Sequence, residues 1–352
     1  MLNYKIIGRY LGLLLLLEAA FLLPPAAISW YDGETKALYS LLVTIGATAL
    51  AGVLLWVACR RYKKMLYAKE GFVLVALAWI VLSLFGCLPF YFSREIPHFV
   101  DAFFETVSGF TTTGASILTD VEAMSRGLLF WRSFTHWLGG MGILVFLMAL
   151  EPGSRGNGFA LHVMRAESPG PSVGKLVPKI SQTAKILYGL YIALTLLCIT
   201  FLLAGGMPLF DSLCTAFGTA GTGGFGIKND SLAGYSHYLQ TVCTLFMALF
   251  GVNFTIYYLM LRNIRSVFKD EELRLYLLIM AGATLLITIN IYPLFGSVGE
   301  SLHEAAFHVS SVMTTTGFAI SDFNIWPQFS RAMLLVLMVL GASAGSTGGG
   351  VK

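Results

Sequence analysis

Long apolar runs separated by short polar connections dominate the chain. Seven cover residues 4–28, 37–58, 72–92, 127–150, 186–203, 238–261 and 275–295, and an eighth opens at Ala332 and runs into glycine at Gly341. Each reaches or approaches the roughly 20 residues that a helix needs to cross a hydrocarbon core. The pattern therefore predicts transmembrane helices. Within the opening run, residues 11–28 carry only Glu18 as a formal charge. A second long run follows directly, where a cleaved leader would end at a small-residue site, so the N-terminus is expected to be retained.

Three shorter apolar segments, residues 102–110, 212–220 and 305–313, are too short to span and are expected to dip into the membrane and return. Each ends in a Thr/Gly stretch: Thr111-Thr112-Thr113-Gly114-Ala115, Gly221-Thr222-Gly223-Gly224-Phe225 and Thr314-Thr315-Thr316-Gly317-Phe318. An acid stands thirteen residues before each aligned glycine: Asp101 before Gly114, Asp211 before Gly224, Glu304 before Gly317. The glycines lie 110 and 93 residues apart (224 minus 114, 317 minus 224), too long a period for a solenoid and right for a helix, loop, helix module. The expected fold is an all-α polytopic membrane protein of repeated helix, re-entrant pore loop and helix modules, with two extra N-terminal transmembrane helices. Its parts are an N-terminal two-helix hairpin (1–68), repeat 1 (69–152), a cytoplasmic linker (153–183), repeat 2 (184–268) and repeat 3 (269–352), which ends in a glycine-rich stretch.

Composition agrees with a lipid solvent. Apolar residues make up 56% of the chain and charged residues 12%, about half the usual charged share of a soluble domain. Alternating the spans from a cytoplasmic start gathers most Lys and Arg on one side, including the cluster Arg60-Arg61-Tyr62-Lys63-Lys64 and the linker, and this bias marks that side as cytoplasmic. The opposite side holds the three loops and most acids, among them Glu34, Glu95, Asp101, Glu105, Asp211 and Glu304, with few bases such as Arg126 and Arg132. A negative mouth of this kind concentrates cations. The three aligned acids also suit the first turn of a short helix, so capping and cation attraction both remain open for them. The Gly/Pro/Ser-rich linker around residues 151–185 is read as a connector, with anionic lipid or a soluble partner as alternatives.

Enzyme chemistry finds no foothold. The five cysteines are scattered without CxxC or Cys/His spacing, and no nucleophile or metal constellation accompanies His136. Residues 221–226 spell G-x-G-x-x-G without a βαβ unit, and Val351 stands where residues 345–352 would need a phosphate-loop lysine. No nucleic-acid partner and no covalent cofactor are expected.

The loops themselves carry the chemistry. Irregular backbone at membrane depth survives only where protein buries it or where it lines a watery path. Glycine allows successive carbonyls to be aimed one way, threonine adds a hydroxyl, and such oxygens replace the hydration shell of a monovalent cation. The short helix points its partly negative C-terminal end at the same spot.

Three stretches carry a resemblance: residues 108–115 (Ser-Gly-Phe-Thr-Thr-Thr-Gly-Ala), His136-Trp137-Leu138-Gly139-Gly140-Met141-Gly142, and residues 344–352 (Ala-Gly-Ser-Thr-Gly-Gly-Gly-Val-Lys). On these the chain resembles the Trk/Ktr/HKT superfamily of potassium transporters, in its bacterial TrkH and TrkG type. The resemblance implies potassium uptake across the bacterial inner membrane through a pseudo-fourfold pore, subunits paired as homodimers, contact with membrane lipid, and cytosolic TrkA-type nucleotide-binding regulatory subunits. It assigns the ion filter to Thr112, Thr113 and Gly114, to Thr222, Gly223 and Gly224, and to Thr315, Thr316 and Gly317. Relatives with serine at the first aligned glycine tend to admit sodium, so glycine at 114 favours potassium. It also makes Gly341, Gly345, Ser346, Thr347, Gly348, Gly349, Gly350 and Lys352 an intramembrane gate loop, and five glycines in that stretch already weaken any helix there. Family members continue into a fourth repeat. The expectation at this length is therefore a transporter subunit lacking repeat 4, or alternatively a non-transporting fragment or regulatory/assembly subunit. Close helix packing is expected at Gly139, Gly140 and Gly142, and a partner within the N-terminal hairpin for Glu18.

Overall fold

The computed structural model describes residues 2–60, 68–142, 180–262 and 270–351. All regular structure among them is helical, in two compact units that divide near Lys185. The basic cluster beyond Arg60, most of the linker, residues 143–150 of the 127–150 span and Lys352 lie outside the described residues.

The first unit holds α1 (Tyr4–Phe21), α2 (Leu23–Tyr31), α3 (Thr35–Ala58), α4 (Ala68–Gly86), α5 (Leu88–Ser93), α6 (Phe99–Phe110) and α7 (Arg126–Gly140). The first predicted span is broken at Leu22 because Pro24 and Pro25 cannot donate to the preceding turn. It nevertheless continues to Tyr31 as one apolar stretch. α1 packs on α3 and α4, and crosses α3 where Gly12 faces Gly52: a Cβ on Gly12 would stand 2.8 Å from the Gly52 carbonyl oxygen. Small residues let two backbones approach in this way. The start of α7 is held by two carboxylates. Glu34 accepts from the Arg126 and Gly127 amides at 2.7 and 3.1 Å, and Glu95 accepts from the Ser125 amide at 2.9 Å. These are the amide groups that a helix start leaves without partners.

α8 (Ile180–Ala204) enters the second unit at Ile186, followed there by α9 (Leu209–Ala220), α10 (His237–Phe250), α11 (Phe254–Arg262), α12 (Glu271–Phe295), α13 (Val298–Met313) and α14 (Gln328–Leu340). α13 packs against α10, α12 and α14, and its core includes Ile287, Ile291, Ala305, Val309, Met313 and Leu337.

Five helical stretches among the described residues are long and apolar enough to cross a membrane. Their outward faces are apolar as well: Leu42, Leu50 and Leu54 on α3, and Leu278, Leu285 and Ile289 on α12, are exposed. Faces of that kind belong in lipid.

The predicted span 238–261 is not continuous. α10 and α11 meet at a 90° bend across residues 251–253. Tertiary partners account for the break. A Cβ on Gly251 would lie 2.8 Å from Thr314 Cγ2, and four successive carbonyls, from Ala248 into the bend at Gly251, find partners outside α10. Ala248 O accepts from the Tyr276 hydroxyl, Leu249 O from that of Tyr257, Phe250 O from that of Thr347, and Gly251 O from the Ser343 amide. On the far side Asn253 Oδ1 accepts from the Thr255 amide at 2.9 Å and starts α11. Backbone left open at membrane depth must be repaired by its neighbours, and here it is.

Candidate functional site

The three Thr/Gly stretches share one backbone design. α6, α9 and α13 each end in a pair of bonds: Thr112 N to Gly109 O and Thr113 N to Ser108 O, Thr222 N to Thr219 O and Gly223 N to Gly218 O, Thr315 N to Val312 O and Thr316 N to Ser311 O. This is the Schellman pattern, whose left-handed position is usually glycine. Here it is threonine each time, with φ of 53° at Thr112, 51° at Thr222 and 57° at Thr315. The residue before each is right-handed and the residue after it does not have positive φ, whereas the aligned glycines return to 73°, 73° and 89° at Gly114, Gly224 and Gly317. Positive φ at two positions two residues apart takes each stretch out of both helix and strand geometry. A β-branched residue is strained in the left-handed region by roughly 1–2 kcal/mol, so three in register mark a requirement beyond turning the chain.

Loops two and three touch directly. A Cβ on Gly224 would run into the Thr316 carbonyl oxygen, Leu232 N donates to Ala319 O at 3.1 Å, and Ala319 N donates to Ser231 Oγ at 3.2 Å. In the first unit a Cβ on Gly139 of α7 would collide with the Phe110 carbonyl oxygen, so that glycine lets α7 lie against the end of α6. His136 is fully buried beside it.

α14 ends at Gly341 (φ 71°), and the glycine-rich segment leaves and returns to the same place: Ala342 N donates to Gly349 O and Val351 N to Val339 O, both at 3.1 Å. Between those closures Gly345, Ser346, Thr347 and Gly348 form an excursion fixed at three points. The left-handed threonines hold one: Thr222 Oγ1 donates to Thr347 O at 2.9 Å, and Thr315 Oγ1 accepts from Gly349 N at 2.7 Å. Gly345 O, accepting from Phe254 N, ties it to the α10–α11 bend. Glu272, in the first turn of α12, holds the Ala344 amide at 2.7 Å.

The aligned acids diverge in use. Asp101 and Asp211 sit in the first turns of α6 and α9, and Asp211 also accepts from the Tyr235 hydroxyl at 2.9 Å. Glu304 does not cap: α13 begins earlier, at Val298, and Glu304 lies buried within it, accepting from Ser321 Oγ at 2.6 Å with His308 Nδ1 at 3.6 Å. Two residues placed among solvent-facing charges prove buried. Glu105 accepts from Arg132 Nε at 2.7 Å, Ser116 Oγ at 2.8 Å and Ile117 N at 3.0 Å. The only signal for this in the sequence is an acid and a base, each inside an apolar stretch. Glu18 departs from its expected hairpin partner: among the described residues both carboxylate oxygens are buried without a hydrogen bond, and Oε1 lies against Gly86 of α4, whose missing side chain leaves it room.

The family described as TrkH, cation transport protein, matches residues 41–352. Similar proteins include the Trk system potassium uptake protein TrkH of Halomonas elongata, 36% identical over 99% of this chain and 73% of its own length. TrkH and TrkG of Escherichia coli K12 are 35% and 32% identical, again with 99% of this chain and 73% of each relative aligned. Among solved structures, the potassium transporter TrkH from Vibrio parahaemolyticus superposes with a TM-score of 0.85 at 31% identity, covering 99% of this chain and 72% of that one.

Proposed function

The chain belongs to the TrkH family of cation transport proteins, and from that premise we propose that it carries potassium into a bacterial cell as the pore-forming subunit of a Trk-type system. Each loop supplies oxygens to an ion that sheds its water: Thr112, Thr113 and Gly114 in the first, Thr222, Gly223 and Gly224 in the second, Thr315, Thr316 and Gly317 in the third. The observation that carries this reading is the recurrence of positive φ at equivalent positions in all three loops, an irregular backbone that carries no side-chain charge and whose carbonyl and hydroxyl oxygens suit a dehydrated cation. The helix ends behind them add partial negative charge. Asp101, Asp211 and Glu304 favour cations near the loops, Asp101 and Asp211 also as first-turn carboxylates of their helices. The membrane potential drives inward flow, about 2.3 kcal/mol per charge per 100 mV.

The glycine-rich segment from Gly341 to Gly350 is proposed as the gate, with Lys352 at its end. Its support is that the threonines of loops two and three bond it directly, so moving it disturbs both loops at once. The domain division given above, insertion in the inner membrane with a cytoplasmic N-terminus, homodimer formation and regulation by cytosolic TrkA-type nucleotide-binding subunits belong to the same proposal. The charge asymmetry of the connections supports the orientation.

Uptake of potassium into a potassium-transport-deficient cell tests the reading. Saturable uptake is expected from the protein at full length, and Gly114→Ser is expected to admit more sodium. Ion selectivity unchanged by Gly114→Ser at equal membrane abundance would overturn the assignment of the first loop.

A further inference from the structure

We propose that the buried Glu105–Arg132 ion pair is a positioning device for the first loop, setting ion discrimination through that loop without touching the ion; this rests on the filter reading above. The loop is held in two different ways. At its start, backbone bonds from Thr112 and Thr113 fasten it to the last turn of α6. At its far end one side chain holds two consecutive residues. Glu105 Oε1 accepts from Ser116 Oγ at 2.8 Å and Oε2 accepts from Ile117 N at 3.0 Å, two and three residues beyond Gly114. Ser116 Oγ in turn accepts from Leu118 N at 3.1 Å.

Glu105 reaches those groups only because its own charge is balanced. Arg132, on α7, donates from Nε to Oε1 at 2.7 Å, and the two side chains are 0% and 3% exposed. A carboxylate so buried is costly without a paired cation, and Arg132 supplies it. The pair thus couples the position of α7 to the backbone between Thr113 and Ser116, where Gly114 must keep its positive φ. Low local dielectric makes such a network strong when complete and costly when broken.

Neither of the other two loops repeats this arrangement. At the position equivalent to Glu105, nine residues before the aligned glycine, loop two has Thr215 and loop three has His308. Loop three is buttressed instead by Glu304 on Ser321 and by Ser311 Oγ on Phe318 O at 2.6 Å. The ion pair is therefore a device of the first repeat, not an inherited feature of the module.

The test compares potassium with sodium flux for the full-length protein in liposomes, at equal protein content, for Glu105→Gln, Arg132→Lys, the double variant, Ser116→Ala and Gly114→Ser. Glu105→Gln keeps shape and loses charge, and Arg132→Lys keeps charge and loses the Nε contact. Each is expected to lower potassium over sodium roughly tenfold, and the double variant no further, because both act on one network. Ser116→Ala, which removes only the loop-side hydroxyl, is expected to lower the ratio several-fold while leaving the ion pair intact. Where Glu105→Gln fails to accumulate, Ser116→Ala decides. An unchanged ratio in Ser116→Ala and in the accumulating pair variants, with Gly114→Ser altering it, overturns the proposal and leaves the filter reading standing. An unchanged ratio in Gly114→Ser removes the filter reading and this proposal with it.

Discussion

Threonine in the left-handed region is the residue-scale feature with the most content. Thr315 bears that strain while its hydroxyl accepts from Gly349 N, and Thr222 does so while donating to Thr347 O. Glycine would be easier on the backbone at both positions. For Thr315→Gly the relief of roughly 1–2 kcal/mol is offset by two lost hydrogen bonds of about 1 kcal/mol each, to Gly349 N and Thr314 O, so thermal stability in detergent should change little. Resting leak of potassium should rise, since the segment that bonds Thr315 is freed. Leak equal to that of the parent protein would detach Thr315 from gating. The threonines were visible in the sequence as part of a repeated motif. Their backbone conformation was not, because the left-handed region is uncommon for non-glycine residues and gives no pattern in a list of residue types.

At the scale of elements, the bend between α10 and α11 shows how a continuous apolar pattern misleads. Hydropathy over residues 238–261 reads as one span, yet the helix stops at Phe250 and restarts at Phe254. The stop is supplied by Tyr276, Tyr257, Thr347 and Ser343, which take over the carbonyls a continuing helix would use. The restart depends on Asn253, whose side chain caps α11. Asn253→Ala should cost about 1 kcal/mol of stability. Asn253 Oδ1 also lies 3.0 Å from where a Cβ on Gly345 would stand, so the same change loosens the glycine-rich segment and should alter flux. A fall in the unfolding midpoint with flux unaltered would separate the bend from gating.

For the whole molecule, the driving force is a matter of charge and field. If potassium passes as a bare cation, accumulation should follow the membrane potential, with about 2.3 kcal/mol gained per 100 mV. Collapsing the potential with an ionophore, at constant external potassium, should abolish net uptake. Persistent accumulation at zero potential would require coupling to another gradient and would end the simple pore reading.

The sequence by itself determined the membrane class, the three loops in register, the aligned glycines and the end of the last helix at Gly341. Those features are local or periodic: run length, charge asymmetry and glycine spacing each act within a few residues. Only tertiary structure decided that Glu105 meets Arg132, that Glu304 serves Ser321 rather than a helix start, that Glu18 finds no hydrogen bond among the described residues, and that α10 breaks. Each of those depends on which polar group a second, distant segment brings within about 3 Å, the range in which a hydrogen bond forms. In an apolar interior that choice decides whether a polar group is held, left bare or made to break a helix.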